Sequence, residues 1–252
     1  MSDRQLPLKP QVYVDERPPE HFDRYYEWAS THSPDWLYSI ARLLLTPLCM
    51  VLYRARCVDA PNVPRSGPVI LAPNHFSSLD HFFCALYLRR RVRFMAKSQL
   101  FRGVLSWILR RGGAFPVQRG RHDERAIATA QEILARGGVV VIYPEGGRSR
   151  SGRIGERARA GVGRLALESG APVVAVAIRG SERARNWKRL EFPRVRVRYG
   201  EPMRFERVAS STRESQQAVA DATLQAVREL HASLERRAPG RPRLGAVAHR
   251  SR

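Results

Sequence analysis

His75 and Asp80 stand five positions apart in the stretch NHFSSLD, a histidine and a carboxylate separated by Phe, Ser and Leu residues. An aspartate that accepts a hydrogen bond from one ring nitrogen of a histidine fixes the tautomer and leaves the other nitrogen free as a base. That is the chemistry of a catalytic triad without its serine. No G-x-S-x-G elbow and no catalytic cysteine lies nearby, so the nucleophile has to come from the substrate. A substrate hydroxyl deprotonated by His75 attacks an already activated acyl group, such as a thioester, and no covalent enzyme intermediate is required. A purely structural role is open to the same residues. Ser77 has the place of a helix N-cap and Asp80 that of the third helical residue, the capping-box spacing. The two roles are compatible, because a helix N-terminus attracts the same carboxylate that orients His75. His81 adjoins Asp80 but on a helix points about 100° away, which assigns it to packing or solvent. A metal site of His75, Asp80 and His81 lacks the usual ligand spacing, so no metal is expected, and Cys84 is assigned to the core.

Such a pair needs a scaffold, and the chain alternates strand and helix signals around it. GPVILA (67–72), VRFMA (92–96), GAFPVQR (113–119), VVVIY (139–143), PVVAVAI (172–178) and RVRVRY (194–199) read as strands. In the last of these the valines face inward and the arginines line a wet or anion-facing side. Helical spacing marks 78–90, 101–111, 122–136, about 157–169 and about 213–237. The expected fold is α/β, a mixed, largely parallel sheet covered by helices. His75 directly follows a buried strand and so lies at its C-terminal end, where open α/β sheets put their ligand crevices.

The chain has 252 residues with 43% hydrophobic content and a formal net charge of +21, carried almost wholly by arginine because Lys9, Lys97 and Lys188 are the only lysines. Such a surface suits an anion; nucleic acid, an acidic lipid surface and a phosphorylated substrate all qualify. Three cysteines without a C-x-x-C pair suggest neither a disulfide framework nor a thiolate metal site, and they fit a reducing compartment. The N-terminus is polar and proline-rich with no signal-peptide pattern, so a cytoplasmic location is expected. Residues 36–53, WLYSIARLLLTPLCMVLY, are apolar almost throughout. Arg42 and Pro47 interrupt a run already short of the roughly 20 residues a spanning helix needs. A helix lying in one leaflet is expected, with Trp28, Trp36, Tyr38 and Tyr53 at headgroup level; a buried core helix is the alternative. The expected organisation is an N-terminal segment of residues 1–55, an α/β domain of residues 56–237, and a basic tail from residue 238 to residue 252 that is disordered.

Four stretches, NHFSSLD (74–80), GAFPVQR (113–119), YPEGGRSR (143–150) and APVVAVAI (171–178), stand in the order and at about the spacing of the four motifs of the PlsC-like glycerolipid acyltransferase family, which the region of about 60–200 resembles. The third motif usually has Thr where this chain has Gly147, and the fourth usually has Pro where it has Ala175. The resemblance implies His75 as general base and Asp80 as its orienting partner. It also implies an acceptor-binding set of Glu145, Gly146 and Arg148, with Arg119 closing the second motif and Lys97 in MAKSQLF near an acceptor phosphate. Arginine forks grip phosphate oxygens bidentately, a lysine adds a point charge, and Gly146-Gly147 permits close backbone approach. The implied reaction moves a fatty acyl group from coenzyme A or acyl carrier protein to the free hydroxyl of a lysophospholipid, above all 1-acylglycerol 3-phosphate, in phospholipid biosynthesis. The implied setting is the cytoplasmic face of an anionic membrane, with no cofactor beyond the thioester co-substrate and no specific nucleic acid. Two rivals use the same residues or charge differently: a thioesterase that activates water with the same base, and a basic nucleic-acid-binding protein, for which no recognised motif is present.

Overall fold

The computed structural model describes residues 15–119, 123–149, 151–184 and 190–236; Arg150 and the tail from residue 238 lie outside the described residues. Seven strands form a single sheet among them: β1 (Arg56–Val58), β2 (Val69–Pro73), β3 (Val92–Lys97), β4 (Ala114–Val117), β5 (Val139–Val141), β6 (Val173–Arg179) and β7 (Arg196–Met203). Their order is β1-β7-β6-β2-β5-β3-β4. β6, β2, β5, β3 and β4 run parallel, whereas β7 is antiparallel to β6 and carries β1 beside it at the edge. The sheet is therefore mixed and largely parallel, as the alternation of signals requires. β1, only three residues long and held at an edge, has too short a run for the pattern in the sequence to mark it.

Seven helices accompany the strands: α1 (Asp23–Thr31), α2 (Trp36–Leu52), α3 (Asp80–Ala85), α4 (Gly103–Arg111), α5 (Glu124–Ala135), α6 (Gly161–Ser169) and α7 (Arg213–Arg236). The pleat of β2 separates two cores. Ile70 and Ala72 point to one face with residues of α1, α5, α6 and α7, while Val69 and Leu71 point to the other with Phe83 and Cys84 of α3 and Cys49 of α2. The Asp123 side chain caps α5 by accepting from Ala126 N at 3.0 Å. α3 is shorter than the spacing of 78–90 suggests, and α6 begins four residues after 157 because residues 157–160 are not helical. Val195 and Val197 are buried as alternation demands, and Arg198 meets an anion within the chain: its Nε donates to Asp59 Oδ2 at 2.7 Å.

α1 is built into the core. Phe22, Tyr25, Tyr26 and Ala29 are buried at helical spacing beneath α5, and the Tyr26 hydroxyl donates to Asp123 Oδ2 at 3.0 Å. α2 runs unbroken through Pro47 for 17 residues, roughly 26 Å at 1.5 Å per residue, and no single helix among the described residues is long and apolar enough to cross a membrane. Its outer face leaves Leu43, Leu44 and Val51 72%, 65% and 73% exposed. Of the four aromatic residues expected at a headgroup layer, Trp36 is exposed, but Tyr38 and Tyr53 are buried. The Tyr38 hydroxyl accepts from Val92 N, and Tyr53 packs edge-on against Phe83, so both serve the core that α2 covers. Trp28 stacks on His32 with Arg110 over its ring.

α6 and α7 approach closely at Gly163, where a Cβ would fall on the Gln216 carbonyl oxygen. Alanine ordinarily gains about 1 kcal/mol over glycine inside a helix. Here Gly163→Ala is expected instead to lower stability by about 1–3 kcal/mol through overpacking, read as a fall in thermal midpoint.

Candidate functional site

Four neighbouring parallel strands end on the same edge of the sheet, and the loop or last residue at each end carries one part of the site. β2 leads to His75, β3 ends in Lys97, β4 leads to Arg119, and β5 leads to Tyr143, Glu145 and Arg148. The first loop is tied down before His75 is reached. Asn74 is fully buried, its Oδ1 accepts from Ile178 N at 2.7 Å, and its Nδ2 donates to Ile178 O at 2.9 Å. The side chain thus continues the pairing of β2 with β6 one residue past the strand.

Three N–H groups meet on Asp80 Oδ2: the backbone N–H groups of Phe76 at 2.6 Å and Ser77 at 2.7 Å, and Nδ1 of His75 at 3.0 Å. Ser77 Oγ accepts from Leu79 N, and α3 starts at Asp80 itself, so the reach-back bond of a capping box is present one turn ahead of the assigned helix. The structural and the chemical roles of Asp80 are one arrangement. With Nδ1–H donated to Asp80, the lone pair of His75 lies on Nε2. Burial pushes the His75 pKa down, the hydrogen bond and charge of Asp80 push it up, and the positive charges of Arg148 and Arg119 push it down further; the net direction is downward. A neutral imidazole with a free Nε2 is a general base ready at neutral pH.

Glu145 does not project into open space. Its Oε1 accepts from His75 N at 3.1 Å and its Oε2 from Gly155 N at 2.9 Å, while the Ser149 N–H donates to the His75 carbonyl at 2.8 Å. Glu145 thereby binds the backbone of the His75 loop to the loop after β5. Burial raises its pKa against the lowering effect of those two N–H groups. Gly146 has φ +68°, a left-handed conformation that glycine tolerates, and the stem of Arg159 crosses it so closely that a Cβ would stand 2.7 Å from Arg159 Cγ. What approaches Gly146 is therefore another side chain of the protein.

Lys97, Arg119 and Arg148 converge beside His75. They line a cavity of about 500 Å³ whose other walls, apart from Arg42, Thr46 and Ser78, are mostly apolar residues of α2, α3, β3 and α4, among them Leu45, Phe82, Met95 and Ile108. Burial lowers the Lys97 pKa, and the charges of Arg148 and Arg119 lower it further; Lys97 has no hydrogen-bond partner among the described residues. The arrangement joins a base and a cluster of cations to a largely apolar chamber. His81 belongs to it too: of the packing or solvent expected for it, packing holds, for it lines the cavity and its Nδ1 lies 2.8 Å from the Tyr143 hydroxyl. Burial, with the nearby charges, pushes its pKa down to about 3. The Tyr143 ring stacks on His75 at 4.0 Å between centroids. Among the described residues no three His, Cys, Asp or Glu side chains form a metal-binding group.

The sequence indicated the members of this cluster but not the supports. Asn74 grips a residue 104 positions away, which no local pattern records, and Tyr143 read as the last residue of an apolar strand.

A family model described as "Acyltransferase" matches residues 54–179, half of the chain. The chain is 28% identical over 164 residues to a chloroplastic 1-acyl-sn-glycerol-3-phosphate acyltransferase of Brassica napus (BAT2), covering 64% of this chain and 45% of that one. It is 28% identical over 146 residues to the chloroplastic counterpart of Arabidopsis thaliana (LPAT1), covering 56% and 40%. The matched region thus spans less than half the length of these curated relatives. Among solved structures, the 1-acyl-sn-glycerophosphate acyltransferase PlsC of Thermotoga maritima superposes with a TM-score of 0.59 at 20% identity, over 87% of this chain and 91% of that one, a likeness of fold.

The electrostatics of His75 can be read directly by NMR of its ring. Its titration midpoint is expected below its ordinary value near 6.5. A positive neighbour disfavours the imidazolium, so Arg148→Gln should raise that midpoint; an unchanged or lower midpoint would show that Arg148 does not act on the base.

Proposed function

Because the chain belongs to the acyltransferase family, we propose that it moves a fatty acyl group from a thioester to the free hydroxyl of a lysophospholipid, with 1-acylglycerol 3-phosphate as the best chemical fit. The observation that carries this reading is the meeting of His75, Lys97, Arg119 and Arg148 in a largely apolar cavity of about 500 Å³. A ligand matching that shape has a long apolar chain, an anionic head and a hydroxyl near the head. The names of the two plant relatives support the same substrate class. In the proposed step, Nε2 of His75 takes the proton of the acceptor hydroxyl as its oxygen bonds to the thioester carbon. The C–S bond then breaks, and the thiolate leaves with the proton that the imidazolium returns. Asp80 holds the imidazole and stabilises its charged form, while Lys97 and Arg148 grip the phosphate and so place the hydroxyl against His75. The step uses no group beyond the two substrates and the chain's own residues.

The surroundings of the cavity support a membrane setting. Its walls on one side are α2 and α4, and both helices turn apolar residues outward, including Leu43, Leu44 and Val51 on α2 and Val104 and Trp107 on α4. We propose that this face lies in one leaflet of an anionic bilayer, with exposed arginines beside it, such as Arg102 before α4, meeting lipid phosphates. Lipid acceptors then reach the chamber without crossing water.

An acyl thioester labelled in its acyl group, supplied with and without acceptor, tests the reaction. Transfer to lysophosphatidate is expected, with a loss of about 10²–10⁴-fold in folded His75→Ala; release of free fatty acid alone, whether or not acceptor is present, would identify a thioesterase instead. Arg148→Ala should reduce transfer to lysophosphatidate far more than transfer to monoacylglycerol, which has the hydroxyl and chain but no phosphate, and Arg148→Lys should restore only part of the loss. Equal defects with both acceptors would mean that the phosphate is read elsewhere.

For the membrane face, the triple substitution L43Q/L44Q/V51Q changes exposed positions only and should weaken sedimentation with phosphatidylglycerol vesicles at least tenfold, about 1.4 kcal/mol. Undiminished vesicle binding by the folded variant would remove α2 from the membrane contact.

A further inference from the structure

A second cavity, of about 660 Å³, adjoins the first where Met95 and Arg119 line both. Its character is different. No residue of α2 or α4 lines it, so it does not open onto the apolar face through which a lipid would arrive. Its lining includes Arg159, Arg164 and Arg213 besides Arg119. Arg164 is engaged by Glu124 at 2.7 Å and by Glu168. Arg159 and Arg213 are exposed, and neither has a carboxylate partner among the described residues. The acidic residue on the lining, Asp123, is itself committed, accepting from the Tyr26 hydroxyl and the N–H groups of Gln118 and Ala126. The cavity therefore presents positive charge to an aqueous side.

We infer that this second cavity receives the phosphate-bearing arm of the acyl donor, the phosphopantetheine chain that coenzyme A and acyl carrier protein share, with Arg159 and Arg213 on its phosphate. The inference rests on the transfer reading above and assigns the half of the substrate pair that the first cavity leaves open. A lysophosphatidate has one phosphate, and Lys97 and Arg148 already stand in the largely apolar chamber to meet it. The donor's carrier is water-soluble and needs its own approach. Arginine suits a phosphate because its planar fork donates two parallel hydrogen bonds. The shared lining fixes where the arm ends: Met95 and Arg119 border both cavities, and the Tyr143 ring on the second is stacked 4.0 Å from His75, so a thioester carried past that ring at the shared residues reaches the base. Arg159 reaches the cavity across Gly146, which gives that glycine a second reason to lack a side chain.

The test uses the full chain, wild type and Arg159→Ala/Arg213→Ala, with thermal melts to confirm folding. Calorimetry with free coenzyme A needs no turnover. Binding by the wild type, weakened at least tenfold in the double variant and partly restored by the corresponding lysine substitutions, supports the assignment. Holo- and apo-acyl carrier protein form the second arm. Binding of the holo form alone, weakened in the same variant, supports the assignment with the protein-borne arm as ligand. In turnover, KM for the thioester should rise at least tenfold in the double variant while KM for lysophosphatidate moves less than twofold. That rise should be much smaller with an acyl N-acetylcysteamine donor, which has no phosphate. Equal binding by wild type and variant, no binding of either carrier by the wild type, or a rise confined to the KM of lysophosphatidate would each overturn it. A wild type that binds coenzyme A through these arginines but transfers nothing would sink the transfer reading and leave the cavity's assignment standing. Transfer with an unaltered donor KM in the variant would do the reverse.

Discussion

One oxygen atom, Asp80 Oδ2, organises the site. Two backbone N–H groups and a ring nitrogen meet on it, and together they bend the chain between β2 and α3 into a single shape with His75 inside. A buried carboxylate is costly unless its oxygens are hydrogen-bonded, and each donor it gathers is also a constraint on the loop. The same atom that orients the imidazole therefore shapes the backbone that carries it. Asn74 on one side and Glu145 on the other complete the hold by binding backbone groups of β6 and of the loop after β5. Each of these polar side chains secures main chain, which leaves the reacting face of His75 to the substrate.

From that fixed point the electrostatics follow. Burial and two arginines disfavour the imidazolium, Asp80 favours it, and the net result is a base that is neutral when substrate arrives. Burial and the charges of Arg148 and Arg119 depress the proton affinity of Lys97, and cations gathered in a partly dry cleft gain when an anion enters, because the anion relieves their repulsion as well as attracting them. A phosphate therefore finds three groups prepared for it in a chamber that otherwise suits hydrocarbon. The sheet separates the two kinds of surroundings: apolar helices α2 and α4 border the first cavity, and arginines from the far side of Tyr143 border the second.

Much of the scaffold was legible because burial on both faces of a parallel sheet leaves uninterrupted apolar runs, and β2, β5 and β6 are such runs. The N-terminal helix α1 was not read from the sequence: the buried spacing of Phe22, Tyr25, Tyr26 and Ala29 is only eight residues long, and prolines and charges around it obscure the pattern. The α2 segment shows the opposite limit. Its apolar composition is plain, yet composition does not say which aromatic residues point outward: Tyr38 and Tyr53 turn into the core while Trp36 stays exposed, a choice made by the phase of the helix against the sheet.

By itself the sequence determined the residue types that do chemistry and their local spacing. His75 and Asp80 lie within one loop and the start of one helix, and short-range geometry alone can bring them together. It also determined the order of strands and helices, and with it the edge of the sheet on which the base must lie. Only the tertiary structure decided that Glu145 supports the His75 backbone, that Asn74 clasps Ile178, that His81 and Tyr143 line the site, and that arginines far apart in sequence divide between two cavities. Those facts depend on which strands become neighbours, since β2 sits between β6 and β5 although more than 60 residues of chain separate it from either. Pairing across such separations is set by the packing of whole faces, and no window of sequence contains both partners.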